Sequence, residues 1–313
     1  MASSPFFCIS FVRFRRILRL IGSRYSKNSY MNNKSILSVM AVISIIVCGC
    51  TKYEAIQPIG ESNFFAGVYH PVNKLQQVSC SQHVEGVECG DYTLEDFLDM
   101  RWHWGKGRLD SVVYHDSRVN TPEPFVVRYF YDSLGRVIQV EDGIHEVCTL
   151  AYEGRHLSSL QMSLGTMSYG IGFHYHNGSD YPDSLSVSSI GCFASTSDSY
   201  ALRWHNGNLM AAVSKPGNDR YSLDSITYSY DNKKNPFCGF VPHDLESSGI
   251  VDAPLFISQC NLLSVTLHSH DGDGAYQSNT FQYHYKDNRP TEIVHQYENG
   301  FWCHVTDTYT LKY

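Results

Sequence analysis

A short unit recurs along this chain and limits what it can fold into: an aromatic residue at the end of an alternating run, then Asp, Asn or Gly, then a returning run. Tyr129-Phe130-Tyr131-Asp132-Ser133-Leu134-Gly135-Arg136-Val137 is the clearest copy. Leu150-Ala151-Tyr152-Glu153-Gly154-Arg155-His156-Leu157 and Leu202-Arg203-Trp204-His205-Asn206-Gly207-Asn208-Leu209 repeat it, as do segments around Tyr175, Tyr230 and Tyr285. The anchors Tyr131, Tyr152, Tyr175, Trp204 and Tyr230 are 21, 23, 29 and 26 residues apart, and Tyr285 lies 55 further on. That is a degenerate repeat of one hairpin per unit.

Elementary physics explains the unit. Residues at i and i−2 of a strand point to one face, so paired aromatics bury a large area together. Asp, Asn and Gly accept the positive φ of a tight hairpin turn. A lone hairpin is marginal in water, so the units must pair side by side. The chain is therefore expected to be all-β, a large curled antiparallel β-meander. One short helix is expected near residues 93–100, because Leu94, Phe97 and Leu98 share a helical face behind Thr93.

The first 50 residues obey other rules. They hold seven Lys and Arg and no Asp or Glu, so against a chain total of −7 the remainder carries −14. Lys34 precedes an apolar run, Ile36 to Val47, too short for a membrane span of about 20 residues. The run ends in Val47-Cys48-Gly49-Cys50, with the aliphatic and small residues that lipoprotein processing needs before a Cys whose thiol accepts diacylglycerol. The expected organisation is an upstream extension (1–30) left by a start codon placed too far upstream, then a lipoprotein signal peptide (31–49). A lipidated tether (50–62) and a single β-rich domain (63–313) follow. The expected location is the cell envelope, as an outer-membrane lipoprotein facing the periplasm or the cell surface. Acyl chains on Cys50 make the membrane one partner.

Seven cysteines follow Cys50. Export permits disulfides. Cys80 with Cys89 is one candidate pair and Cys238 with Cys260 the other; seven being odd, at least one is left over. Buried, reduced cysteines are the competing reading.

The hairpins resemble the Tyr-Asp (YD) repeats of Rhs and insecticidal-toxin shells, most closely at Tyr131-Asp132-Ser133-Leu134-Gly135-Arg136. Together with the Cys50 motif, the chain is similar to a family of exported Bacteroidota lipoproteins of unknown function with YD-like hairpins. Tyr228-Ser229-Tyr230-Asp231-Asn232-Lys233 is the most recognisable segment. The resemblance spans about residues 107–313. It implies the β-meander and no particular activity. No array long enough to enclose a toxin is present.

Chemistry-bearing patterns are sparse. His174-x-His176 and His268-x-His270 each put two imidazoles on one strand face, a start on a metal site that still needs a third ligand. Exposed strand faces also simply tolerate His. Trp102 and Trp104 form an aromatic pair able to stack on a sugar or anchor an interface, or to cap a core. No cofactor fingerprint, phosphate loop or nucleophile elbow occurs, and the acidic domain argues against nucleic acid. The expected function is a non-enzymatic binding or structural module of the envelope, with protein or glycan as partner. The competing readings are a hydrolase with a His/Asp site in the concave sheet face, and a small-molecule carrier in a closed barrel.

Overall fold

The structure, a computed structural model, describes residues 62–313 except 88, 119–122, 143–145, 165–166, 177, 191–194, 216–222, 242–252, 270–274 and 299–302. Cys50, Cys192 and His270, and with them the leader and tether, lie outside the described residues.

Sixteen antiparallel strands close into one barrel. They are β1 (Gln77–Glu85), β2 (Tyr92–Gly105), β3 (Arg108–Asp116), β4 (Phe125–Tyr131), β5 (Val137–Glu141), β6 (Glu146–Glu153), β7 (His156–Leu164) and β8 (Met167–His174). Then come β9 (Ser184–Ile190), β10 (Ser195–His205), β11 (Asn208–Ser214), β12 (Leu223–Lys234), β13 (Cys260–Ser269), β14 (Ala275–Lys286), β15 (Arg289–Glu298) and β16 (His304–Lys312). Each strand pairs with its neighbours in sequence, and β1 pairs with β16 from Gln77↔Lys312 to Glu85↔His304. The expected antiparallel hairpin sheet is there, but it is a closed barrel and not an open curled meander. Closure removes both sheet edges.

The turns do what their residues allow. Lys106-Gly107, Asn206-Gly207 and Asp287-Asn288 all have positive φ, as two-residue hairpin turns require. Between β4 and β5, Asp132 accepts from the backbone N–H groups of Leu134 and Arg136 and from the Arg136 side chain. Just beyond the turn, hairpins repeat the same irregularity. One extra residue is inserted opposite Trp104, Tyr131, Tyr152, Trp204 and Tyr285. Such bulges add local bend and twist, which helps a long meander curl onto itself.

The repeated aromatics form a ladder round this rim. Each donates to the carbonyl of the first inward residue after the preceding turn: Tyr131 to Leu109 (2.6 Å), Tyr152 to Val137 (2.6 Å), Tyr175 to Leu157 (2.9 Å). Trp204 to Pro182 (2.8 Å) and Tyr230 to Leu209 (2.5 Å) continue it. At the chain ends Tyr313 reaches Pro290 and Trp104 reaches Leu75. Residues 75–76 and Tyr313 thus lie where a turn would join β16 to β1 as an eighth hairpin. Burial pushes the hydroxyls of Tyr131, Tyr152, Tyr175 and Tyr230 upward in pKa, so they remain protonated donors.

Two segments plug the barrel at its turn end. One is residues 62–76, with a 3-10 turn at Phe64–Ala66 capped by the Asn63 side chain. The other comprises residues 235–241 and 253–259, between β12 and β13, with α1 (Pro254–Ile257). Phe64, Phe65, Tyr69, Leu75, Phe240, Val241 and Ile257 are buried in one core with the inward strand residues. Tyr129 of β4 donates to the Val241 carbonyl, tying plug to wall, and Tyr69 donates to that of Pro236, tying one plug segment to the other.

Two sequence expectations need correction. Residues 93–100 are not helical but lie inside β2, the longest strand. Between Leu94 and Leu98 the pairing with β1 skips three residues, and Asp96 takes φ +43°. That irregularity shifts the strand's period, so apolar residues fall at 94, 97 and 98 and imitate a helical stripe. The disulfide is Cys89–Cys303, spanning 214 residues, and not Cys80–Cys89. Cys80 is an inward residue of β1, and its thiol, pushed up to about 12 by burial, lies against the Ser81 carbonyl. The Cys238 and Cys260 thiols form no disulfide with each other; Cys238 sits against the Ser62 carbonyl at 3.6 Å.

Candidate functional site

Inward positions are mostly Leu, Val, Phe and Tyr; buried Asp198 on β10 is one polar departure, and a cluster on β14, β15, β16 and β1 is another. Phe281, His295, Asp307 and Gln82 lie directly opposite one another across β14, β15, β16 and β1. All four point into the barrel because they keep phase with buried Ile293, Val305, Leu311 and Val78. Asn279 and Tyr297 form the adjoining pair, and Tyr309 lies two residues beyond Asp307.

The geometry is tight. The His295 ring stacks on Phe281 (4.3 Å) and Tyr297 (4.7 Å). Its Nε2 lies 2.7 Å from Asn279 Oδ1, and its Nδ1 faces Asp307 Oδ2 at 4.0 Å. Gln82 Nε2 donates to Asp307 Oδ1 (2.9 Å) and the Tyr309 hydroxyl points at Oδ2 (3.4 Å). Nearby, Arg118 forks onto Asp116 and lies over the Phe97 ring.

Protonation follows from burial. Desolvation lowers His295 to about 4 and raises Asp307 above the usual carboxylate range. A neutral His295 that donates from Nε2 to Asn279 turns its Nδ1 lone pair toward Asp307, which itself disfavours ionisation there. Desolvation also raises Tyr297 to about 12. The Cys80 thiol beside Asp307 is no nucleophile near neutrality. The belt is thus a hydrogen-bonded network inside a core, with His295 and Asp307 side chains only 15% and 9% exposed. It provides no open acid–base pair of the kind a hydrolase needs.

One expected outcome concerns pH. A folded pKa of about 4 against about 6.5 unfolded means the unfolded chain binds more protons in that window. His295 therefore costs stability as pH falls from about 6.5 toward about 4. Asp307, whose folded pKa is raised, acts in the opposite sense on acidification. Urea denaturation at pH 7 and pH 5 should show His295→Gln losing about 1–2 kcal/mol less than the wild type. Equal losses in both proteins would show that His295 is not buried neutral.

The residues singled out from sequence lie elsewhere and are not brought together. Trp102 is buried and Trp104 half-buried, both inward, and Trp104 stacks on Tyr69. Both pack into the main core. His174 and His176 are exposed at the end of β8, and His176 bonds Asp183 (2.7 Å). His268 faces outward and lies 3.0 Å from the Thr227 hydroxyl. Among the described residues, no three His, Cys, Asp or Glu side chains are grouped as a metal site. The belt was missed, yet it leaves a trace: Ile293-x-His295-x-Tyr297 and Val305-x-Asp307-x-Tyr309 put a charged group on the apolar phase.

No protein-family model matches the chain, and no curated protein matches its sequence. Among solved structures, the chain is similar to a porin-like protein from Bacteroides vulgatus. Identity is 10% and the TM-score 0.38, over 77% of this chain and 99% of that one. A likeness at that level decides nothing here, whereas the chemistry of the wall does. A membrane-spanning barrel turns an apolar band about 25 Å tall outward. Here the outward rows read Gln161 and Ser163 on β7, Ser186 and Ser188 on β9, Gln282 and His284 on β14, and Thr306, Thr308 and Thr310 on β16. Exposed apolar residues on the strands, such as Phe130, Ile138 and Met210, are scattered. Apolar inside and polar outside is the pattern of a barrel standing in water.

Proposed function

We propose that this chain is an exported, lipid-anchored envelope protein whose plugged barrel stands in the aqueous phase and serves as a non-enzymatic binding or structural module. The observation that carries this reading is the wall: polar outward rows around an apolar interior filled by residues 62–76 and by residues 235–241 and 253–259. Such a barrel has no lipid-facing belt and no clear bore at its turn end. Two further features support export. Cys89–Cys303 suits an oxidising compartment, and Val47-Cys48-Gly49-Cys50 has the residue types that lipid modification requires. The YD-like hairpins would then be the scaffold that presents wall and rims to a partner, protein or glycan.

The test is direct. Cells fed a labelled fatty acid should label the wild-type chain, and Cys50→Ala should abolish the label. Undiminished labelling of Cys50→Ala would dismiss the lipid anchor.

A further inference from the structure

The two ends of the barrel differ in charge. Lys74, Lys106, Lys233, Lys234, Lys286 and Arg289 gather at the turn end. The opposite end exposes Glu85, Asp91, Glu95, Asp96 and Glu298, while Arg118 there is held by Asp116. The turn end has carboxylates as well, but several are engaged: Asp132 with Arg136, Asp180 with Arg155, and Asp231 with Asn261 and Tyr285.

Within this basic end lies a cleft of about 390 Å³. Lys233, Lys234 and Arg289 line it, against one side-chain carboxylate, Asp287. Lys233 Nζ rests on a neutral acceptor, Asn288 Oδ1 (2.7 Å), and the Arg289 guanidinium lies over the Tyr313 ring. Neither arrangement neutralises the cation. Ser62, where the described domain begins, lines the same cleft. The eleven residues between Cys50 and Ser62 reach at most about 40 Å when extended.

We propose that this cleft and the basic rim around it bind the anionic phosphate headgroups of the membrane, so that the barrel stands turn end down on the surface to which Cys50 anchors it. The inference rests on the lipid-anchor reading for its orientation. Its chemistry is independent of it: ammonium and guanidinium groups facing phosphodiesters, an attraction that salt screens.

The experiment uses the full chain carrying Cys50→Ala, so that no acyl group contributes. Co-sedimentation is measured with vesicles of phosphatidylcholine alone and of phosphatidylcholine mixed with phosphatidylglycerol. The apolar run 36–47 and the seven cations of residues 1–50 act equally in the parent and in the variant below, so the readout is the loss from parent to variant on the phosphatidylglycerol vesicles. Binding should be stronger to the phosphatidylglycerol vesicles and weaken with salt. The triple variant Lys233→Gln, Lys234→Gln, Arg289→Gln should lose about fivefold for each of Lys233 and Arg289, and so at least about twenty-fivefold in all. An unchanged thermal midpoint for the variant will show that it is folded, since these side chains are exposed or half-buried. Equal binding to both vesicles, a triple variant that binds like its parent, or inorganic phosphate bound where vesicles are not, would each overturn the proposal. Because Cys50 is absent throughout, these failures differ from failure of fatty-acid labelling in the wild type.

Discussion

Phe65→Ala is expected to lower the unfolding free energy by about 3–5 kcal/mol, the range for removing a large aromatic from a packed core. Phe65 is 1% exposed and comes from the N-terminal segment, not from the barrel wall. Its ring meets Phe64, Phe173, Tyr181 and Trp204 edge to face, at 5.4–6.0 Å. Truncation therefore empties a site shared by the plug and by three hairpin aromatics at once. Each contact is worth more than its area alone, because positive ring edges meet negative faces. Chemical denaturation measures the loss. A cost below about 1 kcal/mol would mean that residues 62–76 lie loosely on the rim, and the barrel would then be open at that end.

Breaking Cys89–Cys303 should cost about 2–5 kcal/mol. The bond joins the β1–β2 and β15–β16 connections across 214 residues, so it constrains almost the whole unfolded domain. It also sits beside the β1–β16 seam, the one strand pairing that no hairpin turn enforces. Buried Cys303 packs with Val84 and Val305 in a small cluster apart from the main core. Thermal unfolding with and without reductant provides the check. Reductant should lower the midpoint of the wild type and leave that of Cys303→Ser unmoved. A wild type indifferent to reductant would show that the seam holds without the bridge.

Much of the wall was legible because its causes are local. Tyr131-Asp132, Tyr152-Glu153-Gly154 and Trp204-His205-Asn206-Gly207 carry both the strand anchor and the turn chemistry within a few residues. The helix expected at 93–100 failed for an equally local reason, since the irregularity at Glu95–Phe97 imitates helical spacing within a strand. The polar belt was harder. His295 and Asp307 stand out only once the inward phase of β15 and β16 is known, and their changed protonation depends on what closes over them. The rim cleft could not be read at all, because Ser62, Lys233 and Arg289 are far apart along the chain.

By itself, the sequence determined the all-β character, the hairpin repeat, the inward aromatic rows and the contrast between basic residues 1–50 and the acidic remainder. These follow from propensity, alternation and composition, which act over a few residues. Only the tertiary structure decided that β1 meets β16, that the chain's own N-terminal segment fills the barrel, that Cys89 bonds Cys303, and that the polar rows face water. Each of these joins residues distant in sequence. Loop-closure entropy depends only weakly on their separation, so nothing in the local pattern selects one distant partner over another. The shared interior selects them, because it is packed only when all eight hairpins are in place.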